Sequence, residues 1–142
     1  MFRIVEIEGR QIPLRVNGSF LLRYKAEFKR DGLLDIFSLF ESVSDIDFDN
    51  IENIENDISL SVRLLKNIDT DLFYSMFYMM AKTADIKIKD DIYTWLDQFE
   101  NIPILDLFVP VINLLMDSIK STTQKKTMTN YSKKKRKGKK KN

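Results

Sequence analysis

The sequence predicts a mainly α-helical fold, a small helical bundle with an N-terminal β-hairpin and a disordered basic C-terminal tail. Three observations predict it. Apolar residues recur at helical spacing in successive stretches between residues 20 and 120. Residues 2–16 instead alternate apolar and polar about Glu8-Gly9-Arg10, as a half-buried strand pair does. Residues 125–142 hold ten Lys or Arg and no acid. At 142 residues, with 44% hydrophobic and 31% charged residues, four glycines and three prolines, the chain has room and composition for one core. The expected division is a helical domain over 1–120, with the hairpin at 1–16, and a disordered Lys-rich tail over 121–142.

In the hairpin, Ile12, Leu14 and Val16 share one face, and Pro13 marks an edge position. A lone two-stranded hairpin is marginal, so this one must lie on helices or pair with another chain. Asn17 or Ser19 can cap a helix over 20–28, in which Phe20, Leu21, Tyr24 and Phe28 have helical spacing. Asp31-Gly32 breaks it, and Leu33, Ile36, Phe37 and Phe40 carry a second short helix over 33–43. Seven acids and no base lie between Glu41 and Asp57, predicting a loop with at most one helical turn. Helices follow over 58–68 and over 72–84. The latter is capped by Asp69 or Asp71 and is apolar on nearly every side, as the buried centre of a bundle must be. After a polar connector at 85–89, Asp90 or Asp91 starts a helix carrying Ile92, Trp95, Leu96 and Phe99. Pro103 suits the first turn of a last helix running to about Lys120, with a narrow polar stripe of Asp106, Asn113 and Asp117 and a kink expected at Pro110.

Cysteine and histidine are both absent. That removes disulfides, thiolate and imidazole metal ligands, and every Ser-His or Cys-His nucleophile, leaving carboxylates, Lys, Tyr and Ser for any chemistry. A non-enzymatic protein is expected, with no cofactor and no metal. Charges at Arg3 and Glu6 interrupt any signal-like apolar start, and Asp106, Asn113 and Asp117 interrupt the most apolar segment. The expectation is a cytoplasmic protein that does not enter the membrane. The net charge of +2 averages two unlike regions, because the residues before the basic run carry 13 bases against 21 acids, a net of −8.

Several motifs invite chemistry and fall short. Asp45-x-Asp47-x-Asp49 imitates an EF-hand opening, but Asn50 stands where the turn glycine belongs and Asn56 where a bidentate Glu belongs. Asp85, Asp90, Asp91, Asp97 and Glu100 gather around one helix start, where capping and the macrodipole favour acids in any case. A carboxylate hydrolase would require Asp97 and Glu100 to be buried together in a cleft. The tail residues Lys133, Lys134, Lys135, Arg136 and Lys137 are a candidate polyanion-binding segment. With Tyr131 as its sole aromatic, the tail offers only salt-sensitive, sequence-blind nucleic-acid contacts. A small nucleic-acid-associated regulator using that tail is the alternative functional class.

Three stretches carry a family resemblance: the opening Met1-Phe-Arg-Ile-Val-Glu-Ile-Glu-Gly-Arg-Gln-Ile-Pro-Leu14, then Phe20-Leu-Leu-Arg-Tyr-Lys-Ala-Glu-Phe-Lys-Arg-Asp31, and Met80-Ala-Lys-Thr-Ala-Asp85 followed by Thr94-Trp-Leu-Asp-Gln-Phe99. Together, over residues 1 to about 120, the chain resembles the tail assembly chaperones of long-tailed phages and prophages of Gram-positive bacteria. The connector Ile86-Lys87-Ile88 lacks the proline-containing form of that family, and the acidic loop at 41–57 has no counterpart in it.

The resemblance implies a chaperone that binds the tape measure protein and keeps it soluble until tail tube subunits polymerise around it. It also implies a protein that is not part of the mature virion and that has a possible frameshifted longer form. A client with exposed apolar helical seams calls for an adaptable apolar surface. Phe73, Phe77 and Met80, Trp95 and Phe99, and Phe108, Ile112 and Leu115 are the candidates for it, each equally suited to the interior of a bundle.

Overall fold

A computed structural model describes residues 1–46 and 57–120. Ten of the 17 positions of the acidic stretch, Asp47 and Asp49 among them, and the whole basic tail with Lys133, Lys134, Lys135, Arg136 and Lys137 lie outside the described residues.

Strands β1 (Phe2–Ile7) and β2 (Arg10–Arg15) form the expected antiparallel hairpin, in register from Phe2 opposite Arg15 to Ile7 opposite Arg10. Glu8 and Gly9 both have positive φ, 53° and 74°, the two-residue turn whose twist matches the strands it joins. Met1 and Val16 exchange both backbone hydrogen bonds, each 3.0 Å. Alternation along the ladder then turns the N–H and C=O groups of Phe2, Ile4 and Glu6 away from β2, and those of Gln11, Pro13 and Arg15 away from β1. Pro13 therefore faces an edge, where its missing N–H costs no ladder bond. Val5, Ile7, Ile12 and Leu14 are buried on one face, which β2 lays on helix α4 and β1 on helix α6.

Six helices follow among the described residues: α1 (Phe20–Phe28), α2 (Gly32–Ser42), α3 (Ile58–Asn67), α4 (Thr70–Ala84), α5 (Ile92–Leu96) and α6 (Ile104–Ile119). Aspartates start four of them. Asp31, Asp57, Asp69 and Asp91 accept backbone N–H groups of the first turns of α2, α3, α4 and α5. Helix α1 differs from expectation, since neither Asn17 nor Ser19 caps it through a side chain. Asn17 instead accepts the Ser19 N–H at 3.1 Å and the Ser19 hydroxyl at 3.0 Å, and the Ser19 hydroxyl accepts from Arg23. Lys29, in the left-handed region at φ 59°, closes α1 two residues before the Asp31 cap of α2.

Helix α4 is the centre. Phe73, Ser75 to Ala81 and Thr83 are all buried, and β2, α1, α2, α5 and α6 pack around them. Helix α5 is shorter than its sequence pattern, ending at Leu96, with Phe99 N–H bonded to Leu96 O in the turn that follows. Pro103 sits one position earlier than expected, at the N-cap of α6. Helix α6 runs through Pro110 as one element. The carbonyl that Pro110 leaves without its bond belongs to exposed Asp106, where water can take it up. Asp106 and Asp117 are exposed and Asn113 half-buried, while Leu107, Phe108, Val111, Ile112, Leu114 and Leu115 are buried. Packing thus takes up most of the apolar girth of α6, leaving Met116 and Ile119 exposed toward its C-terminal end.

Truncating a ring in this core removes buried area and leaves a cavity. Phe108→Ala is expected to cost about 3–5 kcal/mol in urea unfolding. Leu22→Ala, on the exposed side of α1, is expected to stay within about 0.5 kcal/mol.

Candidate partner-binding surface

The eight apolar candidates from the sequence do come together, but inside the molecule. Phe73, Phe77, Met80, Trp95, Phe99, Phe108, Ile112 and Leu115 are all buried. Their rings form a continuous chain: Phe73 lies 6.0 Å from Phe108 and 6.3 Å from Phe77, Phe77 lies 5.4 Å from Trp95, and Trp95 lies 5.5 Å from Phe99. These residues serve as core, because β2, α1, α2, α5 and α6 pack around α4 and leave only Tyr74 part-exposed between Phe73 and Ala81. A contact surface must be sought elsewhere.

The most coherent one is on α3. Leu64 is the one fully buried residue of that helix, and Ile58, Val62 and Leu65 are 78%, 50% and 45% exposed. At spacings of four and three residues they share a single stripe along the helix. Leu65 also lines a groove of about 400 Å³ with Ile102, Pro103, Ile104 and Leu105 at the start of α6, where Asn101 and Asp106 are the polar members. The stripe and the groove make an apolar track between two helices. Sequence reasoning missed it, although a signal existed: α3 has one apolar stripe at Leu60, Leu64 and Ile68 and a second at Ile58, Val62 and Leu65, more than a single packed face uses. Further exposed apolar residues stand on the outer flank of α2 (Leu33, Leu34 and Phe37) and on the outer face of the hairpin (Phe2 and Ile4).

The polar groups are committed to structure. Asp35 accepts from the Tyr24 hydroxyl at 2.6 Å and from Arg30 Nε at 2.9 Å, while Arg30 Nη2 donates to the Tyr24 oxygen and to Ser75 Oγ, each at 3.1 Å. This network joins α1, α2 and α4. Burial, and then the Asp35 carboxylate, push the Tyr24 phenol above its ordinary range, and the Asp35 bond raises Arg30 as well. Tyr78 donates to Asp90 O at 2.7 Å, its oxygen lying 3.2 Å from Glu27, which also pairs with Lys82 at 3.3 Å; burial raises the Tyr78 phenol too.

The acids near α5 hold turns. Asp85 accepts from Lys87 N–H at 3.0 Å, and Asp91 from Thr94 N–H at 2.7 Å, a bond that holds its carboxyl below the usual range. Asp97 and Glu100 are both exposed, not buried together. A cleft of about 370 Å³ between β2 and these turns is lined by charges of both signs, Arg10 and Lys87 with Asp85 and Asp90. Arg10 is fixed there by Gln98 at 2.6 Å and by the Phe99 ring at 5.0 Å. Asp45, the described member of the EF-hand-like run, pairs with Arg63. Among the described residues no group of three carboxylates converges as a metal site, and no helix is long and apolar enough to cross a membrane.

The chain matches no protein-family model, no curated protein and no solved structure. The surface itself therefore carries the functional argument.

A phenol whose folded value is raised contributes stability below its unfolded value, about pH 10, and loses that contribution as pH rises from there. Titration of Tyr24 is thus expected to leave the unfolding free energy independent of pH near neutrality and to lower it above about pH 10. Tyr24→Phe is expected to cost about 1 kcal/mol at pH 7 and to flatten the alkaline decline, as read from urea titrations at pH 8 and above 10.

Proposed function

We propose that this chain is a non-catalytic tail assembly chaperone that holds amphipathic helical segments of a long tape measure protein until tail tube subunits enclose it. The observation that carries this reading is the exposed stripe of Ile58, Val62 and Leu65 beside the groove at Leu105. A helix-in-groove contact is read by anchors at such spacings. The stripe lies on the helix least buried in the core, so it can adapt to many similar client segments without disturbing α4. The resemblance at residues 1–14, 20–31, 80–85 and 94–99 supports the same assignment, as does the commitment of the buried polar groups to interior hydrogen bonds. On this reading the protein works in the cytoplasm of a bacterial host, is left out of the mature virion, and has the tape measure protein as its main partner. The tail tube protein and a frameshifted longer form of itself are further partners of the same assembly.

Coexpression with a tape measure protein, a long chain rich in amphipathic helix, is the test. The chain is expected to raise the soluble yield of that client severalfold. Val62→Asp with Leu65→Asp is expected to abolish the gain while leaving thermal stability within a few degrees, since both side chains are half exposed. An unchanged client yield with the wild-type chain sinks the proposal. Nanomolar DNA binding that disappears on removing residues 125–142 favours the nucleic-acid reading instead.

A further inference from the structure

The two edges of the hairpin are not equivalent. On β2, Pro13 interrupts the outward row of donors. On β1, Phe2, Ile4 and Glu6 present an unbroken row of N–H and C=O groups, and among the described residues no hydrogen bond takes up those of Ile4 or Glu6. Beside this edge runs a groove of about 450 Å³ lined by Arg3, Ile4, Val5 and Glu6 on the strand side and by Asp106, Leu107 and Pro110 of α6. An unpaired strand edge facing open space is a template for another strand. Arg3 and Asp106 face the same groove without an ion-pair partner among the described residues.

We infer that β1 is a dimerisation edge, and that it pairs antiparallel with the β1 of a second copy of this chain to make a four-stranded sheet. The strand is self-complementary in one register. With Ile4 opposite Ile4 of the second copy, Phe2 lies opposite Glu6, and Arg3 opposite Val5. Every outward N–H and C=O group then finds a partner. Shifting by one pair in one direction sets Arg3 against Arg3, like charge on like charge; shifting in the other leaves Phe2 unpaired.

In the favoured register the second copy's Arg3 arrives beside Val5, on the helix-covered face where Asp106 lines the groove, and supplies the missing counter-charge. On the opposite face Pro13, Ile4, Ile4 and Pro13 form an apolar row across the seam. This covers Ile4 and Phe2, which are 51% and 54% exposed in the single chain. The twofold arrangement closes on itself. It also relieves the marginal stability of a two-stranded sheet. The inference is independent of the chaperone reading.

The chain has no cysteine, so single cysteines report pairing cleanly. Opposed Cα atoms of a hydrogen-bonded antiparallel pair lie about 5.5 Å apart, within disulfide reach. Under mild oxidation, full-length Ile4→Cys is expected to cross-link to a dimer, and an equal mixture of Phe2→Cys and Glu6→Cys to yield the mixed dimer in preference to either homodimer. Leu22→Cys, more exposed but on α1, is expected to remain uncrosslinked. In sedimentation equilibrium, Ile4→Asp is expected to weaken the dimer about tenfold or more by opposing two carboxylates across the axis. A wild-type chain that stays monomeric at high micromolar concentration overturns the inference, as does Leu22→Cys cross-linking as readily as Ile4→Cys.

Discussion

The enclosure of α4 is the constraint on which the rest of the structure depends. From Phe73 to Ala81 nearly every side chain of that helix is buried, so packing partners are needed all the way round. The hairpin supplies one wall through Ile12 and Leu14, α1 and α2 a second, and α5 and α6 the others. Enclosure also forces each polar group on α4 to find a partner, because an unmade hydrogen bond in the interior costs about 1–3 kcal/mol. Ser75 accepts from Arg30, Tyr78 donates to Asp90 O, and Thr83 donates to Met79 O at 2.7 Å within the helix itself. The first two bonds reach out of α4 and fix α1, α2 and the α5 turn against it. Polar satisfaction thus helps set the positions of the surrounding helices.

The acidic character of the described body has a structural component. Four aspartates start helices, Asp35 holds the Tyr24–Arg30 pair, and Asp85 shapes the connector. Carboxylates at these positions stabilise first turns through hydrogen bonds and the helix dipole. They need no substrate to explain them. What does call for explanation is the apolar surface that enclosure of α4 does not use, on α3, on the flank of α2 and along β1. Such surface is carried at some risk of aggregation, and it is concentrated on elements at the periphery of the core. The α3 stripe and the β1 edge differ in what they offer. One presents side chains at helical spacing and suits a helix, and the other presents backbone and suits a strand.

The elements themselves were legible in the sequence. The hairpin with its turn about Glu8-Gly9-Arg10, the break at Asp31-Gly32 and the central role of 72–84 follow from periodicity and local capping chemistry, which act over three or four residues, while the choice of Asp69 over Asp71 and of Asp91 over Asp90 as caps came from the structure. Helix α5 was overestimated because Phe99 keeps helical spacing while the chain has already turned at Asp97, letting its ring pack on Trp95 and beneath Arg10. The cap expected of Asn17 or Ser19 does not form, because a local turn at Asn17 engages both side chains first.

Which apolar residues face outward was not legible. Phe77 and Val62 both sit on helical apolar stripes, yet one is enclosed and the other half exposed, since exposure depends on which elements arrive from far along the chain. The Arg30–Ser75 bond, spanning 45 positions, has no local signature either. By itself the sequence determined a mainly helical body on a short hairpin, without cysteine or histidine chemistry, because composition and near-neighbour spacing decide those things. Only the tertiary structure decided that the aromatic candidates are interior and that, among the described residues, the α3 stripe and the edge of β1 are left uncovered. Burial is a property of the packed whole, and one central helix can absorb only as many neighbours as fit around it.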